Sequence, residues 1–312
     1  MASIRIGLVG VGKIVRDQHQ PVIAANSDFE LVATASPHSS LPGIASFRTL
    51  GELLSQGPEV DAVAVTSVSA VRDDIAREAL AAGKAVFLEK RPCTTLSALD
   101  DLVATARSGK LALFASWHSR FAMQVEAARV WLARHPPERL EIEWREDVRC
   151  WHSSEDWIWE RGGPGVFDPS VNAFSLLTHI APTRIFLNEA ELFVPANRQT
   201  PIAATLDMAD HAGMPVTATL DWRAEDSQTW EIRARTQDGL LRLFDGGARL
   251  EIAGQALPDT EVGGKYFEYT GLYRRFAELV HARVLDVDER PLRLAADAFL
   301  IGRRTPVDPF PG

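Results

Sequence analysis

The stretch that most constrains the fold stands near the start of the chain, where an apolar run ends in a glycine turn. Residues 4–9 are rich in Ile, Leu and Val, and Gly10 and Gly12 follow, while Val15 stands where the dinucleotide fingerprint has its third glycine. Such a run is typical of a strand buried on both faces. Glycines let the backbone approach a ligand, and the amides that open the next helix attract an anion. The stretch predicts a strand–turn–helix corner that either has a purely geometric role or holds a pyrophosphate.

Strand and helix patterns alternate through the first 118 residues. Apolar strands are predicted at 31–35, 61–66, 85–88 and 112–115, with helices between them. This alternation predicts a parallel sheet with right-handed crossovers, and ligands bind beyond the carboxyl ends of such strands. The residues that follow strands at that edge are the candidates for ligand binding: Gly10, Gly12, Lys13, Ile14, Ser36, His38, Thr66, Glu89 and Lys90.

The pattern changes after Trp117, and residues 119–312 are predicted to form a second domain. Segments such as 140–145 and 230–236 alternate polar and apolar residues, as half-buried strands do. Further helices are predicted at 124–134, 172–180, 272–282 and 292–303. We therefore expect an α+β domain with a mostly antiparallel sheet, and an open face of that sheet would allow a homo-oligomer.

Composition and charge exclude several classes of function. The chain has 42 acidic and 33 basic residues, and its formal net charge of −9 argues against a nucleic-acid partner, because phosphates are bound by a basic face. Cys93 and Cys150 are too far apart for a metal motif or a disulfide framework, so a reducing compartment is expected. Neither a signal peptide nor a membrane-spanning run is recognised. We expect a cytoplasmic protein without a metal ion, a nucleic-acid partner or a membrane partner.

Two polar residues deserve separate hypotheses because of where they stand in the pattern. Lys90 follows a predicted strand, where its ammonium group can meet a substrate oxygen or, if desolvated, act as a base; the alternative is a surface lysine. His118 lies at the predicted boundary between the domains, where pockets often form; the alternative is a structural histidine.

The segment from Trp144 to Asn172 combines aromatic and polar residues. It holds four of the eight tryptophans of the chain, and Glu146, His152 and Asp168 lie among them. Aromatic faces beside carboxylates and imidazole are typical of sugar-binding surfaces, whereas the alternative is a tryptophan-rich core with solvated charges. Asp168 and Asn172 stand four residues apart, so both can reach one pocket, or one of them can cap the next helix.

Several of these motifs resemble one known family. The run Gly10–Ile14, the pair Glu89–Lys90 and the spacing Asp168-x-x-x-Asn172 are similar to the glucose-fructose oxidoreductase / inositol dehydrogenase family. Further runs are similar to its bacterial members that oxidise D-galactose or L-arabinose at C1: 117–120, 146–149, 157–159, 165–169 and 200–204. The resemblance implies a Rossmann domain over residues 1–118, a second domain with an open sheet, NAD or NADP as cofactor and a small aldose as substrate.

The resemblance also implies roles for individual residues. The base that takes the proton of the C1 hydroxyl would be Asp168 or Lys90; we favour Asp168, with Lys90 stabilising the oxygen. Asn172 would orient the sugar, because an amide does not titrate near neutral pH. The residues that meet the rest of the sugar would be His118, Glu146, Trp151 and His152. The expected reaction is oxidation of D-galactose, L-arabinose or D-fucose to the lactone. The alternatives are a non-catalytic sensor of sugar or dinucleotide and a dehydrogenase of another cyclic polyol.

The chain departs from the family pattern near the expected cofactor. Arg91 stands where the family has proline after the Glu-Lys pair, and Val68-Ser69 stand where relatives have two prolines. Pro37 stands where relatives have an arginine that would hold a 2′-phosphate, and no acidic residue replaces it to hold a free ribose hydroxyl. The sequence alone therefore leaves the choice between NAD and NADP open.

Overall fold

The computed structural model describes residues 2–152, 155–225, 227–258 and 266–311. Its strands, in chain order, are β1 (Ile4–Val9), β2 (Phe29–Ala35), β3 (Ala45–Phe47), β4 (Ala62–Val65), β5 (Ala85–Leu88), β6 (Leu113–Ala115), β7 (Arg139–Arg145), β8 (Ile185–Pro195), β9 (Ala203–Asp210), β10 (Pro215–Asp221), β11 (Thr229–Thr236), β12 (Gly239–Phe244), β13 (Arg249–Ile252), β14 (Gln255–Ala256), β15 (Leu285–Asp286) and β16 (Arg303–Val307). Its α-helices are α1 (Gln20–Ala24), α2 (Leu50–Gln56), α3 (Ser69–Ala81), α4 (Leu96–Gly109), α5 (Val125–Arg134), α6 (Val148–His152), α7 (Phe167–Ile180), α8 (Phe267–Ala282) and α9 (Arg290–Ile301).

The chain forms two compact units. The first unit runs to His118 and takes in a later segment that ends at Glu289; the second unit runs from Ser119 and resumes at Arg290. The later segment holds α8 and β15, which the sequence assigned to the second domain. It belongs to the first unit because β15 pairs with β6 and α8 packs Tyr273 against Phe87.

Among the residues that the structure describes, the sheet of the first unit has seven strands in the order β15-β6-β5-β4-β1-β2-β3. Each neighbouring pair in it is parallel. The side chains of β4 and β5 are buried along their whole length, as expected for strands covered on both faces. The chain leaves β1 in one direction and returns at β4 on its other side, so the carboxyl ends of β1 and β4 border the topological switch point. The predicted Rossmann architecture is confirmed.

The sheet of the second unit has, within the described ranges, nine strands in the order β14-β13-β12-β11-β7-β10-β9-β8-β16. Most neighbours are antiparallel, but β7 with β10 and β8 with β16 run parallel. Burial alternates along β7, with Leu140, Ile142 and Trp144 inward and charged residues on the other face. The predicted mostly antiparallel sheet is therefore confirmed, and it is mixed in detail.

Helix α7 begins earlier than the sequence pattern predicted. It starts at Phe167, so Asp168 lies in its first turn rather than in the preceding loop, and Val166 is the N-cap without a side-chain hydrogen bond. Gly165 allows this start: its φ is +54°, and a Cβ there would lie 2.4 Å from the carbonyl oxygen of Pro201. Neither Asp168 nor Asn172 is therefore the N-cap, which removes the competing explanation for their spacing.

Within the described part of the chain, no helix combines the length and apolar character needed to cross a membrane. Within the same residues, His, Cys, Asp and Glu do not gather in any group of three or more that could hold a metal ion.

Candidate functional site

The glycine turn after β1 lies against the chain that follows β4. Gly10 has a φ of +98°, and a Cβ there would lie 2.6 Å from the backbone nitrogen of Ser67, so only glycine fits. The hydroxyl of Thr66 donates to the carbonyl oxygens of Val9 and Gly10 and holds the turn to β4. A Cβ on Gly12 would meet no atom within 4 Å, which leaves open space in front of the turn.

The segment after the turn is a π-helical turn, Val15–His19, which leads into α1. Lys13 and Ile14 stand exposed before it, and Lys13 forms an ion pair with Asp17 one turn later. Val15 is wholly buried, so the position of the third glycine faces the core of the unit.

The loop after β2 forms one wall of a polar cavity of about 540 Å³. The candidate residues Ser36 and His38 line it, together with Ser39, Ser40, Ser46, Phe47, Arg48, Glu52 and Gln56. Arg16, on the π-helical turn, donates hydrogen bonds to the hydroxyl of Ser39 at 2.6 Å and to the carbonyl oxygen of Ser40 at 3.1 Å. The sequence pattern does not indicate this contact of Arg16, because it joins residues 23 positions apart.

The turn that carries Lys90 is held by a buried arginine. The peptide bond between Lys90 and Arg91 is cis. Arg72, on α3, is only 4 % exposed, and its guanidinium donates to the carbonyl oxygens of Ser67, Glu89 and Arg91. Arg72 thereby connects the loop after β4 with the loop after β5, a role that the sequence pattern does not indicate.

Glu89 is buried and ionised, although a carboxylate normally avoids burial. It accepts hydrogen bonds from the Lys90 backbone N–H at 2.8 Å, from His19 Nε2 at 3.0 Å and from the Tyr269 hydroxyl at 2.8 Å. Burial favours the neutral acid, but the hydrogen bond and charge of His19, the charge of His118 and the bond from Tyr269 lower the pKa of Glu89 to about 2. Of the predicted candidates, Glu89 is therefore an internal anchor beside Lys90.

His118 is half-buried beside α8. Its Nδ1 atom lies 2.5 Å from a carboxylate oxygen of Glu268, and its ring stacks on Tyr269 with centroids 5.9 Å apart. The predicted site histidine is thus fixed by a carboxylate from the segment that returns to the first unit.

In the second unit, Glu146 organises the tryptophans. It is 5 % exposed, and its two carboxylate oxygens accept the indole N–H groups of Trp222 and Trp230, each at 2.9 Å. Trp230 in turn packs against Trp144 and against Trp151, with ring centroids 6.1 and 6.3 Å apart. Trp151 is 54 % exposed, whereas Trp144 is buried in the core. Glu146 therefore orients two rings, and Trp151 is the ring that offers a free face.

His152 links two carboxylates in the same unit. Its Nε2 atom lies 3.4 Å from Asp168, which is 11 % exposed, and its Nδ1 atom lies 2.8 Å from Glu155, which is 47 % exposed. Burial disfavours the charged ring, but the hydrogen bonds and charges of Asp168 and Glu155 outweigh it and raise the pKa of His152. The three contacting side chains, Asp168, His152 and Glu155, therefore connect a nearly buried carboxylate with the surface.

Asn172 lies one turn beyond Asp168 on α7. Its Oδ1 atom is buried and has no hydrogen-bond partner among the residues that the structure describes. A buried amide oxygen without a partner is costly, so it is a site where a ligand hydroxyl would be favourable. The four-residue spacing read from the sequence thus brings Asp168 and Asn172 to one face of the helix, as expected.

Replacing His152 by Gln tests, through the thermal stability of the protein, whether His152 is charged between Asp168 and Glu155. The folded state holds the imidazolium more tightly than the unfolded chain, so its contribution is full below the ordinary pKa of 6.5 and disappears as pH rises through the raised value. We expect the variant to lose about 1–3 °C of Tm relative to wild type near pH 6 and about none well above neutral pH. Thermal melts across this range measure it; a His211→Gln control in an exposed turn should show no such trend, and a constant difference at all pH values would contradict the charged pair.

Comparison with known proteins agrees with this geometry. A model of the oxidoreductase family with an NAD-binding Rossmann fold matches residues 4–116. Galactose 1-dehydrogenase of Pseudomonas fluorescens is 42% identical over 322 aligned positions, which cover 99% of this chain and 99% of that protein. The chain belongs to the glucose-fructose oxidoreductase / inositol dehydrogenase family.

Comparison with solved structures agrees with this assignment. The crystal structure of D-galactose-1-dehydrogenase from Rhizobium etli matches with a TM-score of 0.95 at 48% identity, covering 100% of this chain and 99% of that chain. The 3-ketoreductase KijD10 from Actinomadura kijaniata matches with a TM-score of 0.83 at 19% identity over 99% of this chain and 100% of its own, which shows a shared fold. The predicted family, the fold and the oxidoreductase class are thereby confirmed, and the cofactor is a nicotinamide dinucleotide, NAD or NADP.

The glycine turn fits a dinucleotide. Gly12 leaves open space where a phosphate could approach the backbone, and Gly10 keeps the turn pressed onto Ser67. The hydroxyl of Ser67 is buried and lacks a hydrogen-bond partner within the described residues, so a polar ligand would satisfy it. Residues at the ends of β1, β2 and β4 could therefore hold the cofactor in the manner that the fold implies.

Proposed function

We propose that the protein oxidises an aldopyranose, D-galactose or a close relative such as L-arabinose or D-fucose, at C1. The observation that carries this proposal is the joint presence, on one unit, of an exposed tryptophan face, a paired carboxylate and an unpartnered amide oxygen: Trp151, Asp168 and Asn172. These three groups suit a sugar. Its C–H face stacks on an aromatic ring, and its hydroxyl groups form hydrogen bonds with a carboxylate and an amide. The similar proteins of Pseudomonas fluorescens and Rhizobium etli are named for oxidation of galactose, which supports the same substrate class here.

In this proposal, Asp168 receives the proton of the C1 hydroxyl. His152 and Glu155 then pass a proton towards solvent, because His152 contacts both carboxylates. The exposed fraction of the side chain increases from Asp168 through His152 to Glu155. Asn172 accepts a hydrogen bond from a sugar hydroxyl and cannot take the proton. His118 and Trp151 would contact the rest of the sugar, while Glu146 would act by orienting its two indoles.

Lys90 is assigned to the oxygen on C1. Its ammonium group is a point charge that stabilises negative charge on this oxygen as the proton leaves. The bound oxidised dinucleotide supplies the acceptor for the hydride of C1. The overall change is balanced: aldose and NAD(P)⁺ give lactone, NAD(P)H and one proton.

We further propose that the cofactor carries a 2′-phosphate. The loop after β2 supplies three serine hydroxyls and His38 to its cavity, and Ser46 on β3 adds a fourth hydroxyl. Arg16 already holds this loop through Ser39 and Ser40. Relatives have an arginine where this chain has Pro37, and Arg16 would take over the role of that arginine. A guanidinium group beside hydroxyl groups is well suited to bind a phosphate. Glu52 also lines the cavity, but its carboxylate accepts the backbone N–H of Arg48 at 2.9 Å.

Replacing Arg16 by Ala tests the phosphate contact without any turnover. We expect calorimetry to show affinity for adenosine 2′,5′-bisphosphate falling about tenfold or more, because a charge-assisted hydrogen bond is lost. Affinity for adenosine 5′-phosphate should stay within about twofold. Arg77→Ala, on the exposed face of α3, is the matched control. Equal weakening of both nucleotides in Arg16→Ala would contradict the proposal.

The proposed reaction is tested by a screen of aldoses against both cofactors. D-galactose, D-fucose, L-arabinose and the C4 epimer D-glucose are each incubated with NAD⁺ and NADP⁺, and reduced cofactor and lactone are measured. Cofactor reduction with lactone as product supports the proposal. Binding of sugar without cofactor reduction would identify a sensor, and a ketone product would identify a dehydrogenase of another cyclic polyol.

Two expectations from the sequence complete the proposal. A cytoplasmic location is supported by Cys93 and Cys150, which are both free thiols. A homo-oligomer through the second sheet remains a prediction that the mass of the protein in solution would test.

A further inference from the structure

Buried groups from distant parts of the first unit meet at the residue before Lys90. One oxygen of Glu89 accepts the backbone N–H of Lys90, and the other accepts His19 and Tyr269. These partners lie 70 and 180 positions away in the chain. The side chain of Glu89 is only 6% exposed, so its orientation is set by these bonds and not by water.

His19 is fixed on both sides of its ring. It is wholly buried, its Nε2 atom bonds to Glu89, and its Nδ1 atom lies 2.7 Å from the hydroxyl of Tyr273. An ionised carboxylate only accepts, so the ring N–H at Nε2 is the donor to Glu89. Phe87, Tyr269 and Tyr273 meet the ring at centroid distances of 5.6, 5.1 and 5.7 Å. A histidine held in this way orients its partner and has no path for exchanging protons with a substrate.

This arrangement is costly for a core. Burying a carboxylate requires that hydrogen bonds replace its water, whereas apolar side chains of similar volume would fill the same space at no such cost. The charge is kept at the residue that precedes Lys90 and it binds the backbone of Lys90 directly. The free-energy cost of burying Glu89 is therefore accepted at the place where its carboxylate fixes the position of Lys90.

We propose that His19, acting through Glu89, is a positioning residue for Lys90, and that Tyr269 and Tyr273 keep this pair in place. The inference rests on the role proposed above for Lys90 in the oxidation of the sugar. Loss of His19 removes one of the two donors to this oxygen of Glu89 and leaves Tyr269 as the other. The carboxylate is then held less firmly, and the hydrogen bond from the backbone N–H of Lys90 weakens. The ammonium group then samples more positions and stabilises the C1 oxygen less.

Two substitutions at position 19 separate positioning from packing. His19→Leu fills the volume without hydrogen bonds, whereas His19→Gln keeps a donor for Glu89 and an acceptor for Tyr273. We expect His19→Leu to lower kcat about 10–100-fold, as loss of a supporting hydrogen-bond partner does, with the KM for the sugar changed less than about threefold. His19→Gln should recover most of kcat. His281→Gln, at the exposed end of α8, is the control that should leave kcat unchanged.

A second readout does not depend on turnover. The backbone amide shift of Lys90, measured by ¹⁵N–¹H NMR, reports its bond to Glu89. We expect the amide shift of Lys90 to change in His19→Leu and in Glu89→Gln. In His281→Gln the shift should keep its wild-type value. If wild type oxidises no aldose, the function proposed above fails, and this shift still decides whether His19 and Glu89 hold Lys90.

Clear outcomes would overturn the inference. An unchanged Lys90 amide shift in folded His19→Leu would exclude the connection. Equal loss of kcat in the Leu and Gln variants, in proportion to the loss of folded protein, would reduce His19 to a packing residue.

Discussion

Replacing Asp168 by Asn is expected to abolish most of the oxidation of D-galactose. Asn has the same shape but cannot take a proton, so the C1 hydroxyl loses its base. General-base catalysis contributes about 10²–10⁴-fold, and we expect kcat to fall by a factor in that range. The KM for the sugar should change less than about fivefold, because the amide can still form hydrogen bonds. Steady-state kinetics with saturating cofactor measure both quantities.

The structure provides reasons why this variant should fold. Asp168 lies in the first turn of α7 and is not its N-cap, so no capping bond is removed. His152 keeps an oxygen acceptor at position 168 and its bond to Glu155. Asp100→Asn, on the exposed side of α4, is the matched control and should retain wild-type kcat. A kcat in Asp168→Asn within about tenfold of wild type would remove Asp168 from the role of base.

Replacing Lys90 by Met is expected to have the second-largest effect. Met keeps the length of the side chain and removes its charge, so the developing charge on the C1 oxygen loses its electrostatic partner. Loss of one such stabilising group costs about 10²–10³-fold in kcat. Because the base remains, kcat should still depend on pH as in wild type. If Lys90 were itself the base, the variant would lose that dependence.

The control for this variant is Lys84→Met, next to β5 and half-exposed, which should leave kcat unchanged. Binding of reduced cofactor, followed by nicotinamide fluorescence, checks that the dinucleotide half of the protein is intact. A loss of affinity that accounts for the whole change in kcat/KM would make Lys90 a binding residue and contradict its assignment to the C1 oxygen.

The sequence predicted the elements that local patterns define. The buried runs at β4 and β5 were recognised because parallel strands covered on both faces are continuously apolar. The glycine turn was recognised because two residues without a Cβ, which let the backbone turn tightly, directly follow an apolar strand. Asp168 and Asn172 were paired because a helix brings residues four apart to one face. In each case the cause lies within a few positions of the chain.

Other features could not be predicted in this way. The strand β16 was missed because it contains Pro306 and lies at the sheet edge, where it pairs with β8. The predicted start of α7 was late because its true start depends on the close contact of Gly165 with Pro201, which a sequence pattern does not encode. Glu146 was expected to hold a sugar hydroxyl, but it accepts the indole N–H groups of Trp222, which follows β10, and of Trp230 on β11.

The sequence by itself therefore determined the family, the Rossmann unit with its glycine turn, and the carboxylate and amide on α7. Only the tertiary structure revealed what supports them. His19 meets Tyr273 across 254 positions, and Arg16 meets the loop after β2 across 23. Local patterns follow from backbone geometry, which acts over one or two turns. Contacts across such separations form only when α8 packs on the first sheet and the β1 turn lies beside the end of β2, so a histidine without any local partner becomes the support of Lys90.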